Sequence, residues 1–235
     1  MKQPSGLDTL RQQASASALS SSARESPLTL VIGGSRGTGL LIAQRLNAQG
    51  HRVRVLARQP AAATRLLGPG IEVVAGDITR PATLTSALPG VRNIIFTAGV
   101  RSTRPAGQAL VKATDYQGVL NTLDAAQAVG FSGRFVYMTS IGVLTPSWPA
   151  SLLNLIKGNT LVWRRRVEEE LRTRNLDYTI VRAGFLMNGP GGQRAVTVSQ
   201  NALPLAFRNR IARADVAELF VHALLHPRAS RTTLE

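Results

Sequence analysis

From residue 28 onward the chain alternates short apolar runs with longer stretches in which apolar residues return every three or four positions. LTLVI (28–32), RVRVLA (52–57), IEVVA (71–75), NIIFTA (93–98), RFVYMTS (134–140) and DYTIVR (177–182) have the length and β-branched content of strands. Helical spacing is clearest over residues 39–49, 109–128, 161–174 and 215–225. Strands that are apolar at successive positions are buried on both faces, and their alternation with helices makes them parallel. The pattern predicts a single α/β domain over residues 28–235, a doubly wound parallel sheet with helices on both faces. Residues 1–27 are rich in Ser, Ala and Gln, lack apolar periodicity and read as a disordered tail. No apolar core of a secretory signal is present in that tail. Its Ser, Ala and Arg content leaves organellar import open beside a cytoplasmic location.

Composition narrows the partners. At 235 residues a single core can bury roughly 70% of the unfolded surface. No apolar run approaches the ~18 residues of a membrane span, so a soluble protein is expected. Cysteine is absent, which excludes disulfides, thiolate catalysis and Cys-based zinc sites. The net charge of +15 points to an anionic ligand. That charge is spread over many short segments, and aromatics make up only 5% of the chain. A phosphate-rich small molecule is therefore favoured over nucleic acid.

The stretch VIGGSRGTGLLIAQRL (31–46) supplies such a site. Gly33, Gly37 and Gly39 form a tight turn between the first strand and an amphipathic helix, with Ser35, Arg36 and Thr38 between them. Glycine lets a phosphate approach the backbone, and the helix start offers unpaired N–H groups and a positive dipole. A site specific for NAD places a carboxylate at the end of the second strand, for the ribose 2′-hydroxyl. Here LARQ puts Arg58 there, and Arg36 lies within the turn. Two guanidiniums suit a 2′-phosphate, so NADP(H) is preferred while NAD(H) remains possible.

The chain resembles the short-chain dehydrogenase/reductase superfamily, specifically its atypical, NmrA-like single-domain members. The resemblance rests on VIGGSRGTG (31–39), AGDIT (75–79), FTAG (96–99), DYQGVLNTLDAA (115–126), FVYMTSIGV (135–143), LDYTIVRAGFL (176–186) and RADVAELFVHALLHP (213–227), in the family's order. It implies a Rossmann fold with strand order 3-2-1-4-5-6 and a cofactor at the C-terminal strand edge. It further implies that Asp77 and Ile78 flank the adenine, that Thr97, Ala98 and Gly99 line the cofactor, and that Ala183, Gly184, Phe185 and Leu186 lie by the nicotinamide. The implied activity is oxidoreduction of a small molecule. NmrA-like regulators suggest the alternative of an NADP(H)-sensing protein with a regulatory protein partner.

The sequence departs from the family at the proton relay. Ser140 fits the serine position, but the tyrosine register falls at about Thr160 and the lysine register at Arg164; Asp115 replaces an asparagine. A threonine hydroxyl cannot be tuned to the working pH. Ser140 and Arg164 remain the candidate catalytic residues. Arg164 belongs to TLVWRRRVEEEL (160–171), where Arg164, Arg165 and Arg166 stand four residues before Glu168, Glu169 and Glu170. That spacing predicts a largely solvated helix face with weak ion pairs. His222 and His226 have metal-ligand spacing without a third ligand, so no metal is expected. Tyr137 reads as core, Trp148, Phe185 and Met187 as pocket walls, and NGPGG (188–192) as a lid.

Overall fold

The structure, a computed structural model, describes residues 26–100 and 107–235. The tail expected over residues 1–27 lies outside them, apart from Ser26 and Pro27. All six predicted strands form: β1 (Leu28–Ile32), β2 (Val53–Ala57), β3 (Ile71–Ala75), β4 (Val91–Phe96), β5 (Arg134–Ser140) and β6 (Asp177–Ala183). They pair in parallel in the order β3-β2-β1-β4-β5-β6, as expected.

Three strands of three residues each were not predicted. β7 (Phe185–Met187) and β8 (Arg210–Ala212) form a separate parallel ribbon, and β9 (Thr232–Leu234) extends the main sheet beside β6. Three residues are too few to show a period of two.

The helices are α1 (Gly37–Ala48), α2 (Pro60–Leu67), α3 (Gln108–Val111), α4 (Gly118–Ala128), α5 (Trp148–Ile156), α6 (Thr160–Thr173) and α7 (Arg213–Leu225). α3 continues through a π-helical stretch, Lys112–Gln117, into α4. α2 and α5 are short, eight and nine residues, and start from local chemistry. Both have proline in the first turn, and Ser147 Oγ accepts from Ala150 N at the head of α5.

Side chains alternate across each strand and divide the core in two. Leu30, Ile32, Ile94, Phe96, Phe135, Tyr137 and Ile180 pack against Val119 and Leu123 of α4 and Val167 and Leu171 of α6. Val31, Val55, Ile95, Val136 and Val181 pack on the opposite face, against Ile42 and Leu46 of α1 and Phe220 and Leu224 of α7. Each such side chain, fully buried, contributes about 1.5–3 kcal/mol. Arg45 of α1 ties this layer together by donating to Ala214 O and pairing with Glu218. The strand order reverses between β1 and β4, which opens a crevice at the C-terminal edge of the sheet.

Candidate functional site

The glycine turn occupies that crevice. Gly33 has φ +86°, and a Cβ there would stand 2.6 Å from Ala98 N and 2.8 Å from Thr97 Oγ1. A Cβ on Gly39 would overlap Gly33 O and Thr97 Oγ1. These two glycines let the first turn of α1 press against the end of β4, where Thr97 donates to Ile32 O through both its N–H and its hydroxyl. Gly37 differs: its φ is +54°, and a Cβ would meet nothing within 4 Å. The head of α1 has no side-chain cap and no acid in its first turn, so its leading N–H groups and positive dipole are free to act outward. Thr38 Oγ1 is buried without a hydrogen-bond partner. Open space, unpaired donors and an orphaned hydroxyl fit a pyrophosphate.

The β2 and β3 ends lie beside this turn. Arg58 and Arg36 are both exposed. Asp77 Oδ1 accepts from Thr79 N at 2.9 Å and from Thr79 Oγ1 at 2.8 Å. Burial alone would raise the Asp77 pKa. The two bonds from Thr79, with the charges of Arg58 and Arg80, outweigh that effect and lower it. Ile78 turns its side chain onto Gly118 of α4, and its carbonyl accepts from Asn121 Nδ2 at 2.8 Å.

At the end of β4, Asp115 joins three elements. Its Oδ1 accepts from Val100 N at 2.8 Å, and its Oδ2 accepts from Thr160 Oγ1 at 2.8 Å and lies 3.3 Å from Arg164 Nη2. Arg164 also donates to Met138 O at 2.9 Å and to Thr160 Oγ1 at 3.3 Å. Burial would lower the Arg164 pKa, but the facing Asp115 carboxylate raises it. Thr160 and Arg164, the residues in the tyrosine and lysine registers, thus hold Asp115 in place beside Gly99. A Cβ on Gly99 would come within 2.6 Å of Arg164 Nη2.

The expected four-residue pairing along α6 needs correction. Of the three expected pairs, only Arg165–Glu169 forms among the described residues. Arg164 turns inward to Asp115, and Arg166 lies 4.9 Å from the Trp163 ring centroid. Glu168 is fully buried and bonded to Arg182 of β6 and to Arg172. The solvated-face reading holds for Arg165 and Glu169, not for Glu168. Sequence gave no sign of this, because the partner of Glu168 lies on another element.

Ser140 and Ala183 stand side by side in the β5–β6 register. Ser140 Oγ donates to Ile141 O at 3.0 Å. Beyond Gly184, whose missing Cβ makes room for Asn209 O, Phe185 stacks on Phe207 at 5.2 Å, and Phe207 meets Trp148 edge-on at 5.4 Å. A cavity of about 560 Å³ opens here, lined by Ala183, Gly184, Met187, Asn188 and Arg208 among others. It does not reach the glycine turn, so the expected cofactor residues divide between an open groove and this cavity. The 188–192 segment is pinned to α7, with Gly192 N donating to Asp215 Oδ1 at 2.7 Å and Arg213 donating to Asn188 Oδ1 at 3.0 Å. Phe207 and Asp215 escaped sequence reasoning because their partners lie far along the chain.

Tyr137 is 1% exposed in the core, as its position in the strand suggests. Burial pushes its pKa far above the ordinary phenol value, so it cannot stand in for the missing acid. His222 pairs with Glu218 at 2.9 Å, and His226 Nδ1 accepts from Arg228 N. Among the described residues no helix is long and apolar enough to cross a membrane.

A family model described as NAD(P)H-binding matches residues 33–227. The chain is 31% identical over 233 residues to sanguinarine reductase of Eschscholzia californica, covering 84% of each chain. It is 30% identical over 212 residues to the photosystem II assembly factor Ycf39 of Synechocystis, covering 87% of this chain and 60% of that protein. The solved structure of the anaerobilin reductase ChuY from Escherichia coli O157:H7 superposes with a TM-score of 0.69 at 26% identity, covering 88% of this chain and 96% of that one.

Proposed function

The chain belongs to the NAD(P)H-binding family of atypical short-chain dehydrogenase/reductase proteins, and from that premise we propose that it is an NADPH-dependent oxidoreductase acting on a small molecule. The carrying observation is the crevice itself, with an open backbone at Gly37, an orphaned Thr38 hydroxyl and two exposed arginines at the adenosine end. In this reading the head of α1 holds the pyrophosphate, Arg58 and Arg36 hold the 2′-phosphate, and Asp77 and Ile78 border the adenine. Thr97 to Gly99 line the middle, and Ala183 to Phe185 border the nicotinamide. Residues 28–235 act as one cofactor-binding unit. Nicotinamide, when bound, supplies the hydride.

The chain's own residues position the reactants without a strong acid. Thr160 spends its proton on Asp115, and Tyr137 is sealed in the core. Ser140 orients the acceptor by turning its hydroxyl from Ile141 O toward it, and the proton comes from water or from the substrate. Quinones, flavins and conjugated enones suit such a site because their reduced forms need no tuned enzymic acid. This reading is supported by the likeness to two reductases, sanguinarine reductase and ChuY.

A second reading, an NADP(H)-sensing protein that signals to a protein partner, is favoured by two observations. Both relay positions are committed to the Asp115 cluster, and the chain is similar to an assembly factor. The deciding experiment pairs thermal unfolding in NADPH or NADH with nicotinamide consumption over a panel of these acceptors. Stabilisation plus consumption supports the enzyme; stabilisation without consumption supports the sensor. No stabilisation by either nucleotide would sink both. The proposed location is the cytoplasm, or an organelle reached through the N-terminal tail.

A further inference from the structure

α5 is built unlike the other surface helices. Its sequence WPASLLNLI contains no charge. Only Pro149 and Ala150 are buried, and Trp148 is 67% and Leu155 80% exposed. Leu152 and Ile156 are exposed on the same helix, with Leu144 just before it and Val162 at the start of α6. A surface helix normally turns its apolar stripe inward and a polar face outward. Here Trp148, Leu152, Leu155 and Ile156, at helix-neighbour spacing, are large apolar side chains exposed to solvent on one face, which marks an interaction surface.

The charge around the patch selects the partner. Residues 135–167 contain no Asp or Glu, Lys157 closes α5 and Arg166 lies exposed on α6, while the exposed Arg165 beside it is paired with Glu169. A second copy would bring the same basic rim and the same +15 charge against it. An anionic lipid surface complements both features: the rim meets the headgroups while the aromatic and aliphatic side chains enter the boundary layer. Tryptophan at the edge of the patch suits that depth.

We propose that α5 docks the protein peripherally on an anionic membrane, with Trp148, Leu152, Leu155 and Ile156 inserted and Lys157 and Arg166 at the headgroups. Phe207 and Phe185 continue inward from Trp148 as a line of aromatic rings. A lipid-dissolved acceptor would follow that line to the end of β6. That route rests on the oxidoreductase reading, whereas the docking does not.

The test is co-sedimentation of the full chain with vesicles of phosphatidylcholine alone or mixed with phosphatidylglycerol, at low and high salt, without nucleotide. Binding is expected only to the mixed vesicles and should weaken with salt. The tryptophan emission should move to shorter wavelength, because Trp148 leaves water while Trp163 is already buried. Leu155→Asp should lower binding by about tenfold or more, with an unchanged melting temperature because the side chain is exposed. Failure to sediment with the mixed vesicles, or equal binding by Leu155→Asp, overturns the proposal. A concentration-dependent dimer broken by Leu155→Asp overturns it too, and assigns the face to a second copy. Since nucleotide is absent, failure here leaves the cofactor reading to its own test.

Discussion

Arg164 Nη2 lies 3.3 Å from Asp115 Oδ2, on a carboxylate only 2% exposed. The pair joins α6 to the π-helical stretch before α4, while Val100 N and Met138 O draw the ends of β4 and β5 into the same cluster. Removing one partner leaves the other charged and buried. Asp115→Ala is expected to cost about 3–5 kcal/mol in denaturant unfolding. The double variant Asp115→Leu with Arg164→Met should recover much of that loss. Additive losses would show that the two residues act separately.

The two kinds of glycine in the turn should part company on substitution. Gly39→Ala drives a methyl into Gly33 O and Thr97 Oγ1, and overpacking of that kind costs about 1–3 kcal/mol or more. Gly37→Ala meets open space and bears only the left-handed backbone cost, about 1–2 kcal/mol. Its methyl would instead crowd the phosphate position. Calorimetry should therefore find Gly37→Ala folded but with NADPH affinity sharply reduced.

Arg58 separates the two nucleotides. A charge-assisted hydrogen bond contributes about 1.5–3 kcal/mol, so Arg58→Ala should weaken NADPH about ten- to a hundredfold. NADH, which has no 2′-phosphate, should be nearly unaffected. Equal losses for both would remove the basis for NADP preference.

Asp77 gives a pH signature. Its folded pKa lies below the ordinary value of 3.8, so its ionised form adds stability above that value. The contribution is lost as pH falls through the lower folded pKa. Asp77→Asn should flatten the acid limb of the stability curve below about pH 5 and lower the neutral and alkaline plateau without changing its slope. A parallel acid limb in the variant would show that Thr79 does not stabilise the charged form.

Neighbouring glutamates of α6 should behave oppositely. Glu168→Ala removes a fully buried carboxylate from both Arg182 and Arg172, leaving Arg182 with its Glu235 pair, and should cost about 1.5–3 kcal/mol. Glu169→Ala loses an exposed pair with Arg165 and should cost under about 0.5 kcal/mol. Similar losses from the two would contradict the buried placement of Glu168.

The sequence by itself determined the α/β class, the six strands and the glycine turn at the head of α1, because strand periodicity and turn chemistry are local; the strand order followed from the family resemblance. Even the absent relay was legible, as Thr160 and Arg164 stand at readable distances from LDYTIVR. Tertiary structure alone decided what those residues do instead. Thr160 and Arg164 clasp Asp115 across a gap no local pattern spans. Glu168, indistinguishable in sequence from Glu169, is buried because α6 turns that position toward Arg182. β7, β8 and β9 form only where an existing edge or a neighbouring segment offers hydrogen bonds. The aromatic contacts of Phe207 and the pinning of 188–192 by Asp215 likewise exist only after the chain has closed on itself. Burial and ion pairing depend on which elements meet, and that is settled by packing.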